Sequence, residues 1–353
     1  LFRSKPYTST GIRECLIEGA RAFRWQDARN RPQETGAWRR GVGVAAGMWG
    51  SQNGPPSTVR VSLYPDGSAT LNMGAADLGT GTKTVMAQVV AEELGVPLRR
   101  IHIENADTGI TDFTRPSGGS KTVFADSPAV RAAALDVKAQ LLEMAAMQLK
   151  APVDELVYEH GAIAQQGGRK LLLRDIAQFR LQQVVVGVGR RGLDPAAKVV
   201  RPFVAHFAEV EVNVHTGETR VLRLVAAHDS GRVMNQLTYN NQVIGGLTMG
   251  IGFALTERRR MDANTGKMVN ANWHDYKIPT ALDVPSDKTV VPIDLHDTEC
   301  NTTGTKGIGE PATIPTAAAI ANAFYHATGI RITAAPITPA QVVTLLRQRN
   351  RRA

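Results

Sequence analysis

The amino-acid sequence predicts an α+β fold in two lobes, each a mixed, largely antiparallel sheet with packed helices. A hairpin is predicted in the first half, because strand-like residues over Val59–Leu71 flank the turn sequence Pro65-Asp66-Gly67. A second hairpin is predicted where the strand-like runs Ala208–Val214 and Thr219–His228 flank a turn. With 353 residues, against roughly 100 to 200 residues per domain, the chain is long enough for two domains.

Three segments are expected along the chain. Residues 1–40, with a predicted helix over Gly11–Trp25, are interpreted as a connecting arm. Residues 41–200 are expected to form the first lobe and residues 201–353 the second. The chain begins with Leu1 rather than methionine, so we expect a processed product or a part of a longer protein.

Further helices are predicted from apolar spacing and from start and stop signals. Gln236–Glu257 has helical periodicity but carries four glycines, each costing about 1 kcal/mol against alanine inside a helix, so a close neighbour is expected there. Ser127 and Pro128 are interpreted as the N-cap and first residue of a helix that runs to about Lys150. The other predicted helices are Thr82–Leu94, Ile314–Thr328 and one that begins at Thr338-Pro339.

The composition excludes several classes of protein and of site. Hydrophobic residues make up 43% and charged residues 21%, as in ordinary globular domains. Two cysteines, Cys15 and Cys300, are too few for a four-cysteine zinc or iron–sulfur site. No run approaches the roughly 18 to 20 apolar residues of a membrane span. The net charge of +9 leaves room for a polyanionic ligand, but the arginine pairs are dispersed, so no nucleic-acid partner is expected.

Several familiar motifs are matched only in part. Gly187, Gly189 and Gly192 follow a strand-like run, as in dinucleotide-binding folds, but no helix of sufficient length comes after them. Gly81–Thr84 and Gly119–Thr122 each place one residue too many between glycine and lysine for a phosphate loop. The eight histidines show no paired metal-binding spacing, so no residue is expected to ligate a metal ion.

Three glycine-rich loops remain as the candidate site: Asp77–Thr82, Ser117–Thr122 and Gly304–Pro311. Each is expected to expose backbone N–H groups and short hydroxyl side chains, which suits an extended anion with several acceptors. Loops that only turn the chain are the alternative. Glu310, near the end of the third loop, is a carboxylate held on a shaped turn, which suits a general base. A cap for the following helix is a compatible role.

Eight segments together match one protein family. They are Gly79–Thr84, Ala87–Glu92, Ser117–Ser120, Asp229–Asn235, Asn241–Gly246, Asp275–Thr280, Asp283–Pro285 and Lys306–Pro311. On these segments the sequence resembles the molybdenum-binding subunit of the xanthine dehydrogenase and aldehyde oxidase family, the molybdenum hydroxylases, over nearly the whole chain. The family's earlier glycine-phenylalanine-glycine loops and pocket arginine have no counterpart here, so the chain resembles the C-terminal half of such a subunit.

The resemblance implies an oxidoreductase that hydroxylates a small-molecule aldehyde or N-heterocycle, with water as the source of oxygen, at a molybdenum ion held by a pyranopterin. Glu310 then matches the catalytic base, and Gln242 matches the glutamine near the molybdenum oxo group. Two loops match those that cradle the cofactor. The residues matched to cofactor binding are Leu78, Gly79, Thr80, Gly81, Ser117, Gly118, Gly119, Ser120, Lys121, Thr122, Gln242 and Gly309.

Cofactor form and partners are implied by the same resemblance. The first loop reads Leu-Gly-Thr-Gly where the animal enzymes resemble Met-Gly-Gln-Gly, which favours molybdopterin cytosine dinucleotide. An N-terminal half of the molybdenum subunit and an iron–sulfur subunit are expected partners in a hetero-oligomer, with a flavin subunit carrying FAD as a further candidate. The isolated chain is expected to be inactive. A cytoplasmic location is expected, with the periplasm, reached by export with a partner, as the alternative.

Two other functions stay open. A non-catalytic relative would keep the fold as a cofactor-binding or assembly module, and Glu310 argues against it. A hydrolase would use Cys300 as nucleophile with His296 nearby, although a buried thiol is the simpler interpretation. Within the resemblance, an aldehyde substrate is favoured by the segment Glu14–Trp25, which resembles bacterial aldehyde-oxidising members.

Overall fold

A computed structural model describes residues 4–32, 34–51, 57–165, 168, 170–173 and 184–351. The segment Asn53-Gly54-Pro55-Pro56, whose composition is typical of a turn, lies outside them. The described α-helices are α1 (Ile12–Phe23), α2 (Trp25–Arg29), α3 (Thr82–Leu94), α4 (Thr122–Leu149), α5 (Gln236–Leu255), α6 (Thr316–Thr328) and α7 (Pro339–Asn350). The strands are β1 (Trp38–Met48), β2 (Thr58–Leu63), β3 (Ala69–Met73), β4 (Ile101–Asn105), β5 (Leu156–Glu159), β6 (Ala162–Gln165), β7 (Lys170–Leu172), β8 (Val185–Arg190), β9 (Phe203–Asn213), β10 (Thr219–Asp229) and β11 (Asp287–Pro292).

The strands form three sheets, and the predicted α+β class is confirmed. Two sheets have four strands, in the orders β1-β9-β10-β11 and β4-β3-β2-β8, and the third has the order β5-β6-β7. Neighbouring strands are antiparallel except for β10 with β11 and β3 with β4, which are parallel. The sheets are therefore mixed and largely antiparallel, and both predicted hairpins form.

The chain divides into two compact units. Unit 1 comprises residues 1–8, 51–200 and 296–307, and unit 2 comprises residues 9–50, 201–295 and 308–353. This division differs from the expected arm over 1–40 with lobes at 41–200 and 201–353. The physical reason is strand pairing: β1 pairs with β9 along its whole length, so β1 completes the sheet of unit 2. Phe23 of α1 packs against Phe207 of that sheet.

In unit 1, glycines let strand β8 lie directly against helix α4. A Cβ on Gly187 would collide with the carbonyl of Ala133, and one on Gly189 with the carbonyl of Ala129. Strand β8 is followed directly by β9, and residues 191–202, all described, contain no helix, so the strand–helix arrangement of a dinucleotide-binding motif does not form there. The glycine pattern that partly matches a dinucleotide-binding motif therefore serves helix–strand packing.

Helix α4 begins five residues before the predicted N-cap, so the prediction of a start at Ser127-Pro128 is wrong. Pro128 lies inside the helix. Since proline has no N–H, the carbonyl of Phe124 loses its helical hydrogen bond. The side-chain amide of Asn301 lies 3.5 Å from that carbonyl oxygen and donates to it. Ser127 instead directs its hydroxyl to Thr303, at 2.7 Å.

In unit 2, the sheet β1-β9-β10-β11 separates two clusters of buried apolar side chains. One cluster joins the sheet to α1, and the other joins it to α5, α6 and α7. Helix α6 ends at Gly329, which is left-handed with φ of 68°, as predicted. Helix α7 begins with Thr338 as N-cap, accepting from the N–H of Gln341 at 3.4 Å, also as predicted. Among the described residues no helix combines the length and apolar character that crossing a bilayer requires.

Candidate functional site

The first glycine-rich loop is organised by its own carboxylate. Asp77 Oδ1 accepts hydrogen bonds from the N–H groups of Gly79, at 2.9 Å, and Gly81, at 3.3 Å. Its Oδ2 accepts from the N–H of Lys83 in the first turn of α3, at 3.0 Å. These N–H groups, which the sequence suggested for an external anion, are therefore held by Asp77. The loop presents the exposed side chain of Leu78 and the hydroxyl of Thr80. The Thr80 hydroxyl oxygen lies 3.0 Å from that of Thr82.

The second loop is tied to the first and carries an open glycine. Ser117 donates its hydroxyl to the carbonyl oxygen of Ala76, at 2.6 Å. A Cβ added to Gly118 would meet no atom within 4 Å, and Gly118 has no positive φ to require glycine. The backbone of Gly119 is left-handed, and a Cβ added there would lie nearest to the side chain of Lys121, 3.5 Å from its Cε. Gly118 thus leaves space that an external group can fill.

The third loop approaches the second up to Gly307. A Cβ on Gly307 would collide with the carbonyl oxygen of Ser120, so glycine permits this approach. The N–H of Gly307 donates to the hydroxyl of Ser51, at 3.1 Å. Beside it, fully buried Lys306 lies 3.6 Å from Asp297 Oδ2. All three glycine-rich loops therefore meet within unit 1, and the third continues into unit 2 at Ile308.

Within unit 2, one face of α5 supports the segment 309–316. Gln242 Nε2 donates to the carbonyl oxygen of Gly309, at 3.3 Å. One turn later a Cβ on Gly246 would lie 2.5 Å from the Cβ of Ala312, and one turn further Gly250 lies against the side chain of Thr316. The spacing of four residues places all three on one helix face. The close neighbour expected from the glycines of this helix is thus the segment that carries Glu310.

Glu310 begins a single 3-10 turn, Glu310–Ala312, and its side chain is half-buried. Its carbonyl oxygen accepts from the N–H of Thr313, at 3.0 Å, and Pro311 restricts the backbone directly after it. A carboxylate fixed in this way can accept a proton from a group placed beside it.

Residues outside the motifs form two buried polar groups that the sequence did not indicate. In unit 2, His206 and His228 contact each other, with Nε2 atoms 2.8 Å apart. In unit 1, Asp126 is completely buried, and burial raises its pKa to about 6 although the Ser57 hydroxyl and the guanidinium groups of Arg115 and Arg191 lower it. No local sequence signal could have found these groups, because the side chains that meet in each are distant in sequence.

Two alternatives from the sequence can be compared with the structure. Cys300 is buried, and its Sγ lies 3.3 Å from the carbonyl oxygen of Thr305, so the thiol has the surroundings of a structural cysteine. Over the part of the chain that the structure describes, no three or more His, Cys, Asp or Glu residues form a group able to hold a metal ion. The open position at Gly118 and the hydroxyl-rich loops fit an extended polar cofactor better than a protein-ligated metal.

Comparisons with known proteins identify the family of the chain. The profile of the molybdopterin cofactor-binding domain matches residues 18–285. The xanthine dehydrogenase molybdenum-binding subunit of Escherichia coli O157:H7 is 33% identical over 346 residues, covering 95% of this chain and 46% of that protein. The aldehyde oxidoreductase molybdenum-binding subunit PaoC of the same organism is 34% identical over 331 residues, covering 92% of this chain and 43% of that protein.

A solved structure has the same fold. Reconstituted CO dehydrogenase from Oligotropha carboxidovorans superposes with a TM-score of 0.88 at 22% identity, covering 98% of this chain and 46% of that chain. At this identity the likeness concerns the fold alone. The chain spans about half the length of the curated relatives it matches. The resemblance inferred from the sequence motifs is confirmed by these comparisons.

Proposed function

The chain belongs to the molybdopterin cofactor-binding domain family, and from this premise we propose that it holds the cofactor and carries the catalytic base of a molybdenum hydroxylase. The proposed reaction is the oxidation of an aldehyde or an N-heterocycle with water as the source of the oxygen atom. Both substrate classes are kept, because the xanthine dehydrogenase and aldehyde oxidoreductase relatives are 33% and 34% identical to this chain.

The observation that carries the proposal is the support of the Glu310 turn by α5. Gln242 fixes Gly309 from one side, while Gly246 allows the helix to touch Ala312 directly. A general base must be held at hydrogen-bond distance from the proton it removes, and a turn gripped before and after the carboxylate meets that need. If Glu310 only capped the following helix, its turn would not need to lie directly against the glycine-bearing face of α5.

The loops of unit 1 supply groups suited to the cofactor. When bound, a molybdenum pyranopterin supplies a two-electron oxidation of the substrate. Gly118 leaves room for a bulky group, and the hydroxyls of Thr80 and Thr122 are hydrogen-bond partners for pterin and phosphate oxygens. Further residues proposed to contact it are Leu78, Gly79, Gly81, Ser117, Gly119, Ser120, Lys121, Gln242 and Gly309. We favour the cytosine dinucleotide form, because the first loop lacks the glutamine of the animal enzymes.

In the proposed reaction Glu310 accepts, at a carboxylate oxygen, the proton that the oxygen nucleophile loses as it attacks the substrate carbon. The hydrogen on that carbon leaves with its bonding electron pair, which the bound cofactor would accept. Gln242 orients the turn through its hydrogen bond to the carbonyl oxygen of Gly309. Electrons leave through an iron–sulfur partner, with FAD on a flavin subunit. The remaining half of the molybdenum subunit completes the substrate pocket, and the assembly works in the cytoplasm.

The test is Glu310→Gln in the assembled enzyme, with molybdenum content measured alongside turnover of benzaldehyde and of xanthine. Loss of the base should lower the rate by roughly 10² to 10⁴-fold at unchanged molybdenum content. Glu218→Gln, in the turn between β9 and β10, is the matched control and should keep full activity. Unchanged turnover in Glu310→Gln would favour a non-catalytic cofactor-binding module. Absence of molybdenum from the complete assembly would refute both the catalytic and the cofactor-binding role.

A further inference from the structure

Two histidines of unit 2 touch each other in the middle of the sheet, away from solvent. His206 lies on β9 and His228 on the neighbouring strand β10, and both are completely buried. Their Nε2 atoms are 2.8 Å apart, which is hydrogen-bond distance. One ring must therefore donate an Nε2–H while the other accepts. Both rings are neutral, because burial lowers the pKa of each, with repulsion from His228 adding to the effect on His206.

The pair is connected to the first residue of helix α6. His206 Nδ1 lies 2.8 Å from the hydroxyl oxygen of Thr316, which is also completely buried. Thr316 ends the segment that begins at Gly309 and carries Glu310, and its side chain lies against Gly250 of α5. The segment is thus held by Gln242 at its start and by His206 at its end.

The free ring nitrogen of His228 fixes the direction of these hydrogen bonds. His228 Nδ1 is buried, and none of the described residues offers it a hydrogen-bond partner. A buried N–H without an acceptor is rarer in proteins than an acceptor without a donor, so Nδ1 is the bare nitrogen. The proton of His228 then sits on Nε2 and points to His206. His206 in turn carries its proton on Nδ1 and donates it to Thr316.

The polar pair is costly compared with the side chains around it. Its neighbours on the same face of the sheet, Val204, Ala208 and Ala226, are apolar and buried, and two further apolar residues would fill this place without desolvating ring nitrogens. What the rings supply, and apolar side chains cannot, is a directed hydrogen bond to Thr316.

We propose that His206, oriented by His228, is a positioning residue that acts through Thr316 on the turn that carries Glu310. This inference rests on the proposed role of Glu310 as base. The hydroxyl of Thr316 fixes the start of α6, and with it the end of the segment in which Glu310 is placed. Loss of this hydrogen bond lets the Glu310 carboxylate shift while leaving the cofactor loops of unit 1 in place.

The experiment compares three variants in the assembled, molybdenum-loaded enzyme. Thr316→Val removes the hydroxyl but keeps the shape of the side chain. It should lower kcat by about tenfold to hundredfold and change KM by less than about twofold, because a displaced catalytic group costs rate rather than binding. Thr316→Ser restores the hydroxyl and should restore most of kcat. Thr328→Val, at the other end of α6, is the matched control, because Thr328 is also buried and bonds its hydroxyl to Phe324.

The readouts separate positioning from simple destabilisation. Thr316→Val and Thr328→Val should lower the thermal midpoint similarly and keep molybdenum content, and only Thr316→Val should lower kcat. Equal kcat in these two variants, or no rescue by Thr316→Ser, would overturn the inference. A His206→Leu enzyme should match Thr316→Val, and the double variant should lose no more than either alone. If Glu310→Gln itself leaves kcat unchanged, the proposed function fails and this inference fails with it.

Discussion

A Cβ placed on Gly246 would lie 2.5 Å from the Cβ of Ala312, in the turn that carries Glu310. Gly246→Ala should therefore destabilise the protein although alanine favours a helix, because overpacking costs typically 1 to 3 kcal/mol while the gain in helix propensity is only about 1 kcal/mol. The thermal midpoint of the assembled enzyme should fall by a few degrees. Turnover should fall as well, since either α5 or the Glu310 turn must move.

The adjacent glycine provides the control. A Cβ on Gly245 would meet no atom within 4 Å, so Gly245→Ala keeps the packing and should raise the stability of α5 by up to about 1 kcal/mol. Opposite signs of the two changes in thermal midpoint are expected. Equal signs would mean that the contact with Ala312 is not what keeps position 246 free of a side chain.

Asp77 should be needed to keep the first glycine-rich loop in its cofactor-binding shape. Its carboxylate accepts from the N–H groups of Gly79, Gly81 and Lys83. Asp77→Ala removes the carboxylate that accepts all three hydrogen bonds and should cost roughly 1 kcal/mol, like the loss of a helix cap. We expect molybdenum content in the purified enzyme to fall markedly.

Asp66→Ala is the matched control for that loop. Asp66 accepts from the N–H and hydroxyl of Ser68 in the turn between β2 and β3, at 2.8 and 2.6 Å. Asp66→Ala removes the same kind of local cap in the same unit, so this substitution should lower the thermal midpoint without lowering molybdenum content. Parallel molybdenum losses in both variants would point to general instability of unit 1.

What the sequence predicts well is local. Helix α3 ends where Gly95 stops it, and Thr338 caps α7, because these signals act within a few residues. The predicted start of α4 is wrong because Pro128 lies inside the helix. Asn301, a residue far along the chain, donates to the carbonyl oxygen that Pro128 leaves without its helical hydrogen bond. The site divides in the same way. Its glycine loops and Glu310 stand out in the sequence, whereas several contacts that shape them join distant residues, 67 positions apart for Gln242 with Gly309 and 256 for Gly307 with Ser51.

Asp126 should be a source of instability at neutral pH. Burial raises its pKa to about 6, from 3.8, so the folded state holds a proton that the unfolded state has lost between these values. Stability should therefore fall as pH rises from about 4 to 6 and then stay reduced, by up to about 3 kcal/mol. Asp126→Asn removes the charge and should raise the thermal midpoint at pH 7.5 but leave it nearly unchanged at pH 4. A rise of equal size at both pH values would assign the effect to packing instead.

The histidine pair should make unit 2 sensitive to acid. Burial lowers the pKa of His228 to about 3, from 6.5, and burial lowers that of His206 as well. At pH 7 the ring of His228 is neutral in both the folded and the unfolded chain. Below pH 6.5 His228 binds a proton in the unfolded state but not in the folded state, so stability falls as the pH falls. The loss is about 2 kcal/mol at pH 5 for His228 and continues toward pH 3.

The measurement is the thermal midpoint of the assembled enzyme between pH 8 and pH 5, for the natural protein and for His228→Gln. The variant is expected to be less stable at pH 8, because a buried hydrogen bond is disturbed, but its midpoint should fall less steeply on acidification. His215→Gln, an exposed histidine in the turn between β9 and β10, should keep the slope of the natural protein. If His228→Gln keeps that slope as well, the acid sensitivity arises elsewhere and the buried ring must already accept a proton near pH 6.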